Sequence, residues 1–162
     1  MNGNIEIQYL YNSPIHLFYK TETLKKTITE FKNKNYTIYD CGGENWTSEP
    51  SFHEHIASGL KLPEYYGKNL SALSDCLADM YEEGAPGKLF VFRNFEVLEK
   101  NNHEFAEQVL DVFAEASRRF LVQGMKCIIF VQSNNPSISF APVGATPVLW
   151  NDAEWQDAQR GL

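Results

Sequence analysis

The feature that most constrains this chain is a run of seven residues, Lys126 to Gln132 (KCIIFVQ), almost wholly apolar and too short for a buried helix. A strand of that kind must be covered on both faces, as in a parallel sheet with helices above and below. Two further runs share its character: Tyr36 to Cys41 (YTIYDC) and Lys88 to Phe92 (KLFVF). Between them the apolar period changes to that of a helix. Phe52, Ile56 and Leu60 predict a short helix ending before Pro63. Leu70, Leu73, Leu77 and Met80 predict another, with Asn69 placed to cap it. Phe95 to Lys100 reads as a short helical piece, and Glu104 to Phe120 as a long helix with Phe105, Val109, Phe113, Ala116 and Phe120 inward. Strands separated by helices point to an α/β fold, a parallel sheet with crossover connections.

The ends are less regular. Thr21 to Lys34 reads as a helix with Leu24, Ile28 and Phe31 on one side, and residues 4–19 have room for one or two strands. Residues 134–147 are rich in Pro, Ser, Gly and Asn and read as a loop. Asp152 is then expected to cap a final short helix, AEWQDAQR, with Trp155 packed inward.

At 162 residues the chain can bury a core without disulfides or metal staples. Its three cysteines, Cys41, Cys76 and Cys127, are widely spaced and form no CxxC pair, which argues against a disulfide scaffold and a zinc site. Nothing in the N-terminal stretch MNGNIEIQYLYNSP reads as a secretion signal, and no apolar run reaches the roughly 20 residues needed to cross a bilayer. A cytoplasmic protein without a membrane association is expected. The formal charge of −7 is uneven. Residues 1–34 hold five lysines against three glutamates, whereas the remainder holds nine basic against eighteen acidic side chains. Such a body repels phosphates and attracts basic partners, so direct nucleic-acid binding is not expected.

The most informative segment is Leu62 to Met80, LPEYYGKNLSALSDCLADM. On helix geometry the leucines form one stripe, while Ser71, Asp75, Asp79 and Glu82 fall on another. Residues 64–83 carry Glu64, Asp75, Asp79, Glu82 and Glu83 against the single base Lys68. Like charges four residues apart cost a helix roughly 0.2–0.5 kcal/mol per pair, a small cost that a binding role explains, although on periodicity alone a solvated face is the favoured reading.

This segment closely resembles the barstar family, intracellular inhibitors of secreted ribonucleases. The resemblance rests on LPEYYG, then Asn69-Leu70, Ala72-Leu73 and Asp75-Cys76-Leu77. A second match is EQVLDVFAEA at Glu107 to Ala116, similar to the family's last helix and followed by an apolar strand and Ser133. The resemblance covers roughly Tyr36 to Ser133. It implies a barstar-like domain over residues 36–133, with a three-stranded parallel sheet and packed helices, flanked by extra elements at 1–35 and 134–162. It also implies a protein that is not an enzyme, needs no cofactor or metal and has no small-molecule substrate. Its partner would be a basic ribonuclease or ribonuclease toxin domain, blocked at its active site as an immunity protein would block it.

Position by position, the resemblance makes Asp75 the main inhibitory aspartate, standing in for an RNA phosphate among the nuclease's cations. Glu115 supplies a second acidic contact, and Tyr65 packs on the partner. Gly67, Asn69 and Leu70 shape the loop and add contacts. Three positions depart from the family: Ser71 replaces an aspartate, Ser74 a tryptophan and Arg119 an acid, so one acidic and one aromatic contact are absent. Asp79 and Glu82 offer charge in different places, and a related but different toxin is the expected target. Ser71 and Ser74 remain on the expected partner-binding surface with Asp79. The alternative is an interaction module of the same fold with a non-nuclease partner. A small hydrolase rests only on scattered His, Asp and Cys.

Other clusters read as structural. His53-Glu54-His55 is expected to be solvated, since residues two apart on a helix diverge and no third ligand is spaced to join them. Cys76 lies beside the leucine stripe and reads as inert packing. Gly42-Gly43 lacks any phosphate-loop continuation and reads as a turn. Tyr9, Tyr11, Phe18 and Tyr19 read as core or edge packing.

Overall fold

The computed structural model describes residues 4–162; residues 1–3 of the N-terminal extension and of the stretch read for a secretion signal lie outside it. In chain order the elements are α1 (Ile5–Gln8), β1 (Ile15–Phe18), α2 (Thr21–Lys32), β2 (Thr37–Gly42), α3 (Glu49–Gly59), α4 (Leu70–Ala78), β3 (Gly87–Arg93), α5 (Glu96–Asn101), α6 (His103–Gln123), β4 (Lys126–Gln132) and β5 (Leu149–Trp150). Two 3₁₀ turns, Asp152–Glu154 and Asp157–Arg160, close the chain.

The five strands form one parallel sheet in the order β2-β3-β4-β1-β5. The three strands expected from the apolar runs form the contiguous block β2-β3-β4, and the termini extend it by β1 and β5. Residues 4–19 thus contribute one strand and one short helix.

Strand periodicity divides the core in two. Phe90, Phe92, Cys127, Ile129, Val131, Ile15 and Leu17 face the larger cluster, under α3 to α6. Leu89, Val91, Ile128, Phe130 and Phe18 face the other side, where Leu24, Ile28 and Phe31 of α2 cover them. Handedness accounts for this arrangement. The steps β2 to β3 and β3 to β4 advance one way across the sheet, whereas β1 to β2 runs back, so right-handed crossovers must pass over opposite faces.

Connection directions also reverse between the C-terminal ends of β1 and β4, the crevice where open α/β sheets commonly bind ligands. Beside it, an anion of the chain itself holds the C-terminal end of β1. The buried Glu154 carboxylate accepts the Tyr19 and Lys20 N–H groups at 2.9 and 2.8 Å and the Asn151 side-chain amide at 2.8 Å.

The C-terminal expectation is corrected. Asn151, not Asp152, caps the first 3₁₀ turn, accepting from the Ala153 N–H. Trp155 is 59% exposed instead of packed inward. The turns are held by Arg160, whose guanidinium donates to the carbonyls of Pro136, Glu154 and Trp155, so no regular helix is needed to satisfy this backbone. Among the aromatics of the N-terminus, Tyr9 and Phe18 are buried as expected, while Tyr11 is exposed.

Candidate functional site

The acidic segment begins as a tight loop. Leu62 N–H donates to the Ala57 carbonyl and Tyr66 N–H to the Pro63 carbonyl, which folds LPEYYG back on α3. Tyr66 is buried and its hydroxyl is hydrogen-bonded with His53 Nδ1 at 2.5 Å. His53 is therefore not the solvated side chain expected from sequence: it is 3% exposed, packed against Phe52 and Phe105, and burial pushes its pKa down. With Tyr66 pinned inward, its neighbour Tyr65 is turned out and 80% exposed. Lys68 sits at φ 53°, a left-handed conformation that costs a side-chain-bearing residue of order 1–2 kcal/mol, so the loop holds backbone strain beside the acidic helix. A cavity of about 520 Å³ opens beside it, lined by His53, Lys68, Asn69, Leu70 and Phe105 among others.

Asn69 ends the loop and starts α4. Its side-chain oxygen accepts the Ala72 N–H at 2.8 Å, and its amide donates to the Gly67 carbonyl at 3.3 Å, so one residue fixes both elements. Leu73, Cys76 and Leu77 are buried and Leu70 is half-buried, leaving Ser71, Asp75 and Asp79 exposed. The Cys76 thiol is buried, and desolvation with the nearby Asp79 and Asp75 charges holds its pKa up, as inert packing requires.

The outer stripe is shorter than helical periodicity suggests. α4 ends at Ala78 with Asp79 as its C-cap, so Glu82 lies in the following turn. There its carboxylate takes the Lys88 ammonium at 2.7 Å, which pulls its pKa down. Lys88 is 1% exposed in the middle of the sheet, and Glu82 is its charge partner rather than a free acidic contact.

The second acidic position lies on α6, which packs directly on α4. Glu115 is exposed, and its carboxylate accepts from Arg118 at 2.7 Å, one turn along the same helix. That hydrogen bond, with the charges of Arg118 and Arg119, holds the Glu115 pKa below the ordinary glutamate value. Arg118 also donates to Thr146 from the C-terminal extension. Arg119 donates to the hydroxyl and carbonyl of Ser74 at 3.1 and 3.3 Å. Ser74 adjoins Asp75, and Arg119 stands one turn from Glu115, so this contact ties the two carboxylate-bearing helices together. Ser74 is half-buried beneath that guanidinium. The i, i+3 spacing of Glu115 and Arg118 is visible in the sequence; the clamp between Arg119 and Ser74 joins residues 45 apart and is not.

The described residues contain no grouping of three or more His, Cys, Asp or Glu side chains able to hold a metal, and none of their helices is long and apolar enough to cross a membrane.

Comparison with known proteins places this geometry in context. The family model described as Barstar (barnase inhibitor) matches residues 36–132, the stretch that runs through β2, the loop, α4 and α6 to the end of β4. The chain is also similar to a protein of Bacillus subtilis (strain 168) named "Putative ribonuclease inhibitor YrdF". The two are 35% identical over 74 residues, 46% of this chain and 78% of that protein.

Proposed function

The chain belongs to the barstar family, a family of inhibitors and not of enzymes, and from that premise we propose that it binds a basic ribonuclease and closes its active site. The observation that carries this reading is the exposed acidic face of α4, with Asp75 held on a capped helix beside a strained loop and next to α6. A ribonuclease stabilises phosphate charge with cations and so presents a positive cleft. Asp75 enters that cleft in place of a phosphate, and Glu115 adds a second anion from the neighbouring helix. Tyr65, turned outward because Tyr66 is anchored, packs on the rim. Gly67, Asn69 and Leu70 set the height of the loop, and Ser71, Ser74 and Asp79 complete the face.

The target differs from that of relatives carrying an aspartate and a tryptophan at 71 and 74. A serine at 74 makes room for Arg119, which adds a cation where an acid is the family pattern. The nuclease cleft that fits this face carries fewer cations opposite Ser71 and more opposite Asp75 and Asp79. Arg118 already holds the Glu115 carboxylate, so that side chain needs little ordering on binding.

The test is capture of the partner with tagged protein from the cells that produce it, followed by an RNA-cleavage assay. The expected outcome is a one-to-one complex with a basic nuclease whose cleavage stops on addition of the wild-type chain. Asp75→Ala should weaken inhibition by roughly tenfold or more, as loss of a charged hydrogen bond implies. A partner that cleaves no RNA, or inhibition indifferent to Asp75→Ala, overturns the proposal and favours a non-nuclease interaction module.

A further inference from the structure

A cavity of about 670 Å³ lies where β1, β5 and the two 3₁₀ turns meet α1, away from α4. Its volume falls within the range of small-molecule sites. Two indoles line it, Trp150 on β5 and Trp155, together with His16, Asp152, Gln8 and Gln159.

The polar groups in this cavity offer acceptors. His16 is nine-tenths buried, and its Nε2 lies 2.8 Å from the Ser13 carbonyl and 3.2 Å from the Tyr9 carbonyl. Carbonyls only accept, so Nε2 carries the proton and donates. Burial lowers the ring's pKa, which leaves Nδ1 as a bare acceptor that no hydrogen bond reaches among the described residues. Asp152 uses one oxygen to accept from Gln8 Nε2 at 2.6 Å; no other hydrogen bond reaches its carboxylate among the described residues.

Among the described residues, the nearby cation Arg160 is already committed. Arg160 lies 4.1 Å over the Trp150 ring, and its nitrogens are engaged with Pro136, Glu154, Trp155 and Asp157. It cannot turn toward an anion without abandoning the contacts that fold the C-terminus. It also covers the Trp150 ring, which turns with its register partner Leu17 toward the α3 to α6 side of the sheet, opposite His16.

We propose that this cavity binds a planar organic cation of the guanidinium class, stacked on the exposed indole of Trp155 and bonded to the Asp152 carboxylate and His16 Nδ1. Phosphate-bearing ligands are opposed by the local negative charge and, among the described residues, by the absence of an available cation. Neutral sugars can use the indoles and amides but draw nothing from the carboxylate's charge. The site lies outside the region matched to the family and does not depend on the inhibitor reading.

The test follows the three indole N–H signals by NMR on the full chain. Agmatine serves as the free guanidinium probe, acetyl-Gly-Arg-Gly-amide as a polypeptide source of the same group, and glucose and inorganic phosphate as controls. The expected result is saturable shifts at Trp155 with agmatine, while Trp46, fully buried under the sheet, stays still. Asp152→Asn, an exposed position, should weaken binding by roughly tenfold; Trp155→Ala should weaken it as well. A response to the tripeptide alone keeps the guanidinium chemistry and assigns its source to a polypeptide. Shifts absent with both guanidinium probes, matched by glucose or phosphate, or unchanged in Asp152→Asn overturn the proposal.

Discussion

At the scale of single residues, the charges of this protein divide into those spent on the fold and those left outside. Lys88 and Glu82 belong to the first kind. An ammonium 1% exposed in a sheet must keep its partner, although that partner is itself 61% exposed. The hydrogen bond from Lys88 to the Tyr39 hydroxyl, at 3.4 Å, is too long to replace it. Glu82→Ala should therefore lower the melting temperature more than Lys88→Met does, even though Glu82 is the more exposed residue. Methionine fills the same space and carries no charge, whereas alanine at 82 strands a buried cation. Equal melting temperatures for the two variants would contradict this assignment and return Glu82 to the acidic surface. Sequence alone placed Glu82 in the stripe of Asp75 and Asp79, because periodicity extends a helix until something stops it. The stop lies in the turn after Ala78 and in an ion pair with a strand residue, neither of which leaves a periodic signal.

At the scale of elements, the acidic helix depends on its start. α4 is nine residues long, too short to be stable by itself, and Asn69 is its only side-chain cap. Asn69→Ala should cost about 1 kcal/mol of stability. It should also weaken partner binding beyond that loss, since the same side chain holds the Gly67 carbonyl. The check is chemical denaturation alongside an inhibition titration: unchanged inhibition with reduced stability would show that the loop holds its shape without Asn69. How far elements could be read from sequence follows their burial. The long apolar strands and α6 declare themselves, because continuous or strongly periodic apolar runs have few alternatives. β1 (IHLF), only allowed for within residues 4–19, and β5 (LW) do not, since four and two residues carry little pattern and are strands only because β4 offers β1 a parallel edge and β1 offers one to β5. His53 was misread for a related reason: flanked by Glu54 and His55 it reads as polar, and only the distant Tyr66 hydroxyl makes its burial acceptable.

At the scale of the whole molecule, one sheet carries two different surfaces. Helices α3 to α6 cover one face and present the acidic loop and helix, while the termini widen the sheet on the β4 side and build the indole-lined cavity. The resemblance made Asp75 and Glu115 legible, and both are exposed on adjoining helices. Arg118 braces Glu115 at an i, i+3 spacing that the sequence shows, whereas the clamp from Arg119 to Ser74, the neighbour of Asp75, joins helices far apart in the chain. The central claim is that the Asp75 carboxylate occupies the phosphate position of a nuclease active site. It is tested most directly by measuring inhibition of the captured ribonuclease across a series of RNA concentrations. Competition is the expected result: the apparent inhibition constant rises in proportion to RNA while the limiting cleavage rate is unchanged. Inhibition that lowers the limiting rate at saturating RNA would place this protein elsewhere on the nuclease and contradict the account.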